Sequence, residues 1–207
     1  MAPHEQHISD WSTWANTVVL VEGDSDTAAV HALAQRQGRD LRAERVHVLS
    51  AKGVTNFARL LSEIGSAHPD IVIVGLYDEA EERVVARGLQ RAGDEPATTR
   101  DDIEARGFFV CTADLEDELI RALGGEAVER TLATEGELAS FRRFQQMPQQ
   151  RDRDHARQLR RFLGTRSMRK IRYGRVLVEA LDLHRVPSPL ARVLDLARPS
   201  PRKPANG

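Results

Sequence analysis

The sequence predicts an α/β fold, with a small, mostly parallel sheet flanked by helices and a helical extension at its C-terminal end. Between residues 17 and 123, four short apolar runs, three rich in Val, Ile or Leu and one rich in Phe, alternate with segments of helical spacing. Short continuous apolar runs are typical of parallel strands that are buried on both faces. Strands that alternate with helices favour right-handed crossovers, so the helices should cover the sheet.

Individual elements are predicted from these runs and from the residues at their ends. Asp24 and Ser25 are favourable N-cap residues for the first helix, and Gly38 is a typical residue to close it. Beyond about Gly124 only helices are expected, with a break at Pro148. The predicted strands are 17–21, 46–49, 71–76 and 108–111, and the predicted helices are 27–37, 54–64, a charged segment that follows residue 82 and ends near 92, and a segment that begins near 115.

These elements divide the chain into four parts. A flexible polar leader is expected over residues 1–16, and an α/β domain over residues 17–123. A helical extension with a basic surface is expected over residues 124–197, and residues 198–207 form a Pro-rich tail that should be disordered.

Composition indicates a soluble protein of the cytoplasm. Hydrophobic residues make up 41% of the 207 residues and charged residues 29%, which is ordinary for a globular protein. The apolar runs fall far short of the roughly 20 residues that span a membrane, and the N-terminal residues lack a secretory signal pattern, so no membrane partner is expected. Cys111 is the single cysteine, which fits a reducing compartment because no intramolecular disulfide can form.

The charges are divided unevenly along the chain, although the net charge is only −1. Of the 30 basic and 31 acidic residues, 17 basic and 5 acidic residues lie in 142–207. A basic segment suits phosphate groups, and an acidic remainder suits divalent cations. Two interpretations stay open, a nucleic-acid-binding surface or a solvated, Arg-rich helical surface.

Acidic residues follow three of the four predicted strands. Glu22 follows the first strand, Asp78 the third and Glu116 the fourth. The carboxyl ends of parallel strands line one crevice, so these carboxylates should converge there. Asp26 and Glu81 follow Glu22 and Asp78 at spacings that let them reach the same edge. The alternative is that each acid only complements the N-terminus of a helix, which contributes about 0.3–1 kcal/mol.

The acidic cluster predicts a cation site, because carboxylates held close together repel one another unless a cation lies between them. Oxygen ligands suit Mg²⁺ or Mn²⁺ better than Zn²⁺. One or two such ions can activate a water molecule and stabilise the leaving oxygen in phosphodiester cleavage. The sequence therefore predicts a Mg²⁺ or Mn²⁺ site at this edge, with DNA as the binding partner.

Four segments, in this order along the chain, carry a resemblance to a known family. They are Val-Glu-Gly-Asp-Ser-Asp at 21–26, Gly-Leu-Tyr-Asp-Glu-Ala-Glu at 75–81, Asp-Leu-Glu-Asp-Glu-Leu at 114–119 and the basic stretch at 164–175. The first resembles the Glu-Gly motif of Toprim domains, and the second lies where these domains carry an Asp-x-Asp motif. The third resembles the Leu-Glu element of the OLD (overcoming lysogenization defect) nuclease branch, and the fourth resembles its basic C-terminal helix.

The resemblance spans about residues 17–195 and is greatest to stand-alone actinobacterial Toprim proteins related to OLD-family ATP-dependent endonucleases. It implies a Toprim, Rossmann-like sheet and a Mg²⁺- or Mn²⁺-dependent endonuclease. By position in the motifs, Glu22 and Asp26 would bind one metal ion. Asp78, Glu81 and Glu116 would share or complete a second site.

The same resemblance implies a catalytic set and a nucleic-acid surface. The catalytic residues would be Glu22, Asp78 and Lys170, with Lys170 at the scissile phosphate. Glu82 is the alternative to Glu81, and Arg169 is the alternative to Lys170. The nucleic-acid-binding residues would be Arg166, Arg169, Lys170 and Arg172.

The chain departs from the family pattern at two points. Ala80 stands where the second Asp of Asp-x-Asp is expected, which leaves open whether the site holds one ion or two. OLD nucleases join this domain to an ATPase, but the sequence has no Gly-x4-Gly-Lys-Ser/Thr motif, so any ATPase would be a separate subunit. The competing hypothesis is a catalytically degenerate nucleic-acid-binding or regulatory subunit that works with such an ATPase. Asp78 also resembles the phospho-acceptor of receiver domains and of haloacid-dehalogenase-like hydrolases, whose partner acids stand elsewhere.

Overall fold

Four parallel strands form the sheet, in the order β2-β1-β3-β4. The computed structural model describes residues 10–92 and 99–198. The strands are β1 (Thr17–Val21), β2 (Val46–Ser50), β3 (Val72–Asp78) and β4 (Phe108–Cys111). Thr17 is level with Val46 on one side and with Val72 on the other, so the carboxyl ends of these strands lie at a common edge. The predicted parallel α/β fold is confirmed, and β3 runs two residues further than predicted, to Asp78.

β1 is buried on both faces, as its apolar run predicts. Val18 and Leu20 belong to the core on one face of the sheet, whereas Val19 and Val21 belong to the core on the other face. Successive side chains of a strand point to opposite faces. A strand between two helical layers therefore needs an apolar residue at nearly every position.

Helices cover both faces of the sheet. The helices of the described residues are α1 (Asp24–Arg36), α2 (Val54–Ala67), α3 (Glu82–Arg91), α4 (Arg100–Ala105), α5 (Leu115–Leu123), α6 (Gly125–Thr134), α7 (Leu138–Gln145), α8 (His155–Leu163), α9 (Ser167–Ala180) and α10 (Ser188–Leu196). One layer consists of α2, α3 and α4, and the other contains α1, α5, α9 and α10. In the described part of the chain, none of these helices has the length and apolar character that crossing a membrane requires.

The helices after residue 124 share the core of the preceding α/β part. Leu132 of α6, Phe162 of α8, Tyr173 of α9 and Leu190 of α10 lie in the same buried cluster as Val19 of β1. The predicted helical extension is therefore packed onto the sheet as part of its second layer. Pro148 begins a short 3₁₀ turn between α7 and α8, which confirms the predicted break.

The predicted flexible leader is corrected for its second half. Trp11 is only 3% exposed, and its ring stacks on that of His47 with the centroids 5.3 Å apart. Ala15 is buried as well. An indole ring that loses this much contact with water stabilises an ordered segment. Residues 1–9 and 199–207, which hold the rest of the leader and nearly all of the tail, lie outside the described residues.

Two helices differ from the prediction, α1 in where it begins and α4 in being present at all. The N-cap of α1 is Gly23 rather than Asp24 or Ser25, because the Asp26 side chain accepts a hydrogen bond from the Gly23 N–H and the helix starts earlier. α4 was not predicted, since its six residues are too few to show a helical period. The signal for it was a capping box, in which the side chains of Thr99 and Asp102 accept hydrogen bonds from each other's backbone N–H.

Candidate functional site

The loops that follow β1 and β2 are hydrogen-bonded to each other at the carboxyl edge of the sheet. The Ala51 N–H donates to the Val21 carbonyl (2.8 Å), and the Gly53 N–H donates to the Glu22 carbonyl (3.1 Å). Gly53 has a φ of 115°, which residues with a side chain rarely adopt. These bonds fix the backbone of Glu22 at the end of β1.

Asp26 lies in the first turn of α1 and serves both the helix and the acidic edge. Its Oδ2 accepts a hydrogen bond of 2.9 Å from the Gly23 N–H. Burial raises the pKa of Asp26 to about 7, and the negative charges of Glu116 and Glu22 add to this effect. Asp26 therefore caps α1 and also lies within electrostatic reach of Glu22 and Glu116.

Asp78 and Glu81 bring further carboxylates to the same edge from the end of β3. Burial raises the pKa of Asp78 to about 8, with repulsion from Asp26 and Glu22 as the next causes. Burial also raises the pKa of Glu81 to about 7, followed by the charge of Glu22. Among the described residues, the buried Oε2 of Glu81 has no hydrogen-bond partner. The carboxyl groups of Asp26, Asp78 and Glu81 thus lie close enough to acidic neighbours for the negative charges of these neighbours to raise all three pKa values.

The residues around Glu81 do not join the cluster. Glu82 accepts a hydrogen bond of 2.7 Å from Arg100, and Glu79 accepts one of 3.0 Å from the same guanidinium group. Ala80 is exposed in the 3₁₀ turn Glu79–Glu81. The structure therefore places Glu81, rather than its alternative Glu82, with Glu22 and Asp78.

Glu116 and Lys170 form an ion pair at the edge, where α5 meets α9. Glu116 is 3% exposed, and its Oε2 lies 3.3 Å from the Lys170 Nζ. Burial raises the pKa of Glu116, and Lys170 offsets part of this shift. Burial alone would lower the pKa of Lys170, but the charges of Glu116 and Asp26 outweigh it and the pKa is raised. Lys170 is therefore positively charged and lies among the carboxylates at the edge of the sheet.

α9 reaches this position because it crosses α1 at very short range. A Cβ atom at Gly174 would lie 2.3 Å from the Ser25 carbonyl oxygen, so only glycine fits. At the far end of α1, the Arg36 Nη1 donates to the carbonyls of Val178 (2.9 Å) and Leu181 (2.5 Å). The crossing sets the distance between Lys170, one turn before Gly174, and the start of α1.

The carboxylates fit a divalent cation in their chemistry but do not form a closed ligand shell. Within residues 10–92 and 99–198, no three His, Cys, Asp or Glu side chains are arranged as a complete set of metal ligands. The unpartnered oxygen of Glu81 and the burial that raises the pKa values of Asp26 and Asp78 nevertheless mark carboxyl groups whose charged forms are poorly compensated. Hard cations such as Mg²⁺ and Mn²⁺ take oxygen ligands of this type, with water in the remaining positions. Side-chain movements would be needed to bring the ligands together.

Lys170 is the one member of the predicted nucleic-acid set that lies against the carboxylates. The Arg169 Nε is 2.6 Å from Glu137, and its guanidinium group lies over the Phe162 ring at 4.1 Å. Arg172 pairs with Glu135 and lies 3.6 Å from Glu137. Arg166 is exposed at the N-cap of α9. Arg169 and Arg172 are thus held in contacts between helices, and the structure favours Lys170 over its alternative Arg169.

A second group of charged residues, which the sequence motifs did not predict, lies beside the edge. Asp114, the N-cap of α5, accepts a hydrogen bond of 2.7 Å from Arg160 of α8. A pocket next to this pair is lined by Arg153, Arg157, Arg160 and Arg161. The signal for it was the spacing of Arg157, Arg160 and Arg161, which places them on one face of α8, with Arg153 two residues before the helix. On the opposite side, Lys52 pairs with Asp24, and this contact lowers the pKa of Asp24.

Comparison with known proteins agrees with this fold. Residues 14–74 match the family described as overcoming lysogenization defect protein-like, TOPRIM domain. The chain is similar to the C-terminal region of the OLD protein of Xanthomonas campestris pv. campestris, with 24% identity and a TM-score of 0.66 over 89% of this chain and 95% of that one. The C-terminal region of the Burkholderia pseudomallei OLD protein has 23% identity and a TM-score of 0.66 over 88% and 96%. No curated protein matches the sequence.

The sequence match covers the first part of the sheet, and the structural likeness shows a common fold over most of the chain. The matched residues contain β1, α1 and β2, and with them Glu22 and Asp26. The structural likeness extends over the helices of the C-terminal half, because it covers most of this chain. Residues 14–74 therefore match an OLD-like Toprim domain, and the chain shares the fold of these two OLD C-terminal regions.

Proposed function

We propose that this chain is a Mg²⁺- or Mn²⁺-dependent nuclease that hydrolyses DNA phosphodiester bonds at the carboxyl edge of its sheet. The observation that carries the proposal is the group of mutually repelling carboxylates around Lys170. Burial raises the pKa of both Asp26 and Asp78, the charge of Asp26 adds to the shift of Asp78, and Lys170 already pairs with the buried Glu116. The OLD-like Toprim domain supports a relationship to nucleases.

Each residue of the cluster has a task in this proposal. Glu22 and Asp26 would hold one ion, and Asp78, Glu81 and Glu116 would hold or complete a second. A bound ion lowers the pKa of a coordinated water and offsets negative charge on the phosphate. Lys170 would place its ammonium group at the scissile phosphate, where added negative charge develops. The ion pair with the buried Glu116 would hold this ammonium group in one position.

Plasmid cleavage tests the proposal. Supercoiled DNA is incubated with the protein and Mg²⁺ or Mn²⁺, beside the variants Glu22→Gln and Asp78→Asn. Loss of a carboxylate ligand should slow nicking by about 100-fold or more. Glu79→Gln is the matched control, because Glu79 adjoins Asp78 in sequence but pairs with Arg100 outside the cluster. A wild-type protein that nicks no faster than Glu22→Gln in either metal would refute the nuclease function.

A second candidate function is a catalytically degenerate Toprim subunit that binds nucleic acid beside a separate ATPase. Two observations favour it, Ala80 in place of an aspartate and the missing closed ligand set among the described residues. In this case the protein would retard plasmid DNA at low salt and release it at high salt without cutting it. Calorimetric titration with Mn²⁺ separates the two functions further. A nuclease must bind Mn²⁺, and Glu22→Gln should weaken this binding, whereas a degenerate subunit does not require Mn²⁺ binding.

A further inference from the structure

A pocket of about 550 Å³, here called the arginine pocket, lies beside the carboxylate edge. With five cations and one carboxylate, its charged lining carries a net charge of +4 in a chain whose net charge is −1. Cations gathered in this number repel one another, and an anionic ligand would remove the repulsion. The charged lining residues are Arg153, Arg157, Arg160, Arg161, Lys170 and Asp114.

Part of the arginine pocket is held rigidly. Two nitrogens of the Arg160 guanidinium group, Nε and Nη2, each lie 2.7 Å from the Asp114 Oδ2. The other oxygen of Asp114 accepts a hydrogen bond of 2.8 Å from the Asp117 N–H, which ties it to the first turn of α5. Arg160 is therefore positioned before any ligand binds, and its remaining N–H groups are available to an anion.

The other arginines of the pocket are only weakly engaged. Arg157 pairs with Asp154, three residues earlier, at 3.2 Å, and both side chains are more than half exposed. The Arg153 Nε donates to the Gln149 carbonyl, which leaves its positive charge without a carboxylate among the described residues. Exposed ion pairs of this kind contribute little to stability, so these arginines can exchange their present contacts for a ligand at a small cost in free energy.

Lys170 connects the arginine pocket with the carboxylate edge. Lys170 and Gly164 line the arginine pocket and also a smaller cavity, which Gly23, Asp24 and Ser25 close on its other side. The smaller cavity thus reaches the loop that carries Glu22. One path leads from the end of β1, past Lys170, into the arginine pocket.

We propose that the arginine pocket binds the phosphate groups of a DNA strand that lie next to the scissile phosphate. The inference rests on the proposed function, because the scissile phosphate itself would lie at the carboxylate edge. Guanidinium groups match phosphate oxygens with two parallel hydrogen bonds, which a surface of lysines would not supply. Contacts of this kind position the strand without reading its sequence. The ligand is a phosphate group, supplied either by the interior of a strand or by its 5′ end.

Fluorescence anisotropy in EDTA tests the pocket without metal and without cleavage. The probes are short duplexes labelled at a 3′ end, with either a 5′-phosphate or a 5′-hydroxyl, titrated at several KCl concentrations. The test variant is Arg157→Gln/Arg161→Gln, and the matched control is Arg83→Gln/Arg87→Gln. The control pair has the same spacing and is also exposed, but it lies on α3 in the other helical layer.

The test variant should bind DNA at least about 10-fold more weakly than the wild type. The slope of log K against log [KCl] should be shallower by about 1.8, which corresponds to two lost phosphate contacts. The control variant should bind as the wild type does. A stronger wild-type affinity for the 5′-phosphate assigns the pocket to strand ends, and equal affinities assign it to the interior of a strand. Equal affinity of the test and control variants, or no wild-type binding at low salt, would overturn the inference. Metal-dependent cleavage is measured in a separate assay. If the protein does not cut DNA, the binding data in EDTA still decide whether the arginine pocket binds phosphate.

Discussion

The substitution Gly174→Ala tests the helix crossing that positions Lys170. The new Cβ would lie 2.3 Å from the Ser25 carbonyl oxygen, whereas ordinary contact begins near 3.4 Å. α1 and α9 would therefore have to separate by about 1 Å. Forcing an extra methyl group into a packed interface costs about 1–3 kcal/mol. Alanine is better than glycine in a helix by about 1 kcal/mol, which offsets part of this cost.

The two terms leave a net destabilisation of up to about 2 kcal/mol. For a chain of this length, such a loss lowers Tm by about 4–8 °C. The separation also moves Lys170 away from Asp26, and a displacement of about 1 Å in a catalytic constellation can reduce the rate about 100-fold. Nicking by Gly174→Ala should thus fall much further than its stability does, provided that the chain is a nuclease.

Differential scanning calorimetry and circular dichroism measure the change in Tm. Gly65→Ala is the control, because Gly65 also lies inside a helix, α2, and its Cβ would lie 3.3 Å from a single neighbour, the Ala92 Cβ. This variant should keep or slightly raise the Tm. A Gly174→Ala protein with a Tm higher than that of the wild type would show that α1 and α9 do not cross at the distance described.

Two further predictions concern the charges of the edge. The folded protein holds protons on Asp26, Glu81 (pKa about 7 each) and Asp78 (pKa about 8) that the unfolded chain has lost, since ordinary carboxyl pKa values are near 4. The Tm of the metal-free protein should therefore fall as the pH rises from about 5 to 8, and calorimetry that shows a flat or rising Tm contradicts this. Lys170→Met leaves the buried Glu116 carboxylate without its cation and should cost about 1–3 kcal/mol at pH 8 in chemical denaturation. The double variant Lys170→Met/Glu116→Gln should regain most of this loss, whereas additive losses would show that the two side chains are not coupled.

The sequence was sufficient to place the main acidic residues at one edge. Strand ends can be predicted from apolar runs, and Glu22 directly follows such a run, Asp78 comes two residues after one and Glu116 five residues after one. In a parallel sheet, this alone decides on which edge they lie. The order of the strands and the close crossing at Gly174 could not be predicted, because they depend on contacts between distant segments.

Choices between adjacent residues needed the structure. Glu81 and Glu82 are equivalent by spacing, but a 3₁₀ turn precedes α3, so an α-helical count from Asp78 does not apply. Arg169 and Lys170 lie on different sides of α9, and the partners of Arg169, Glu137 and Phe162, come from the region of α7 and α8. Partners of this kind are tertiary contacts, which no local pattern encodes.

The crossing of α1 and α9 also sets the time at which the edge can form during synthesis. Arg36 is bonded to the Leu181 carbonyl, which lies 145 residues further along the chain. At a translation rate of about 5–20 residues per second, that partner is made about 7–30 s later. A growing chain thus carries its acidic strand ends well before the lysine that neutralises them. The edge can therefore be completed only after α9 has been made, and until then Glu116 has no Lys170 to pair with.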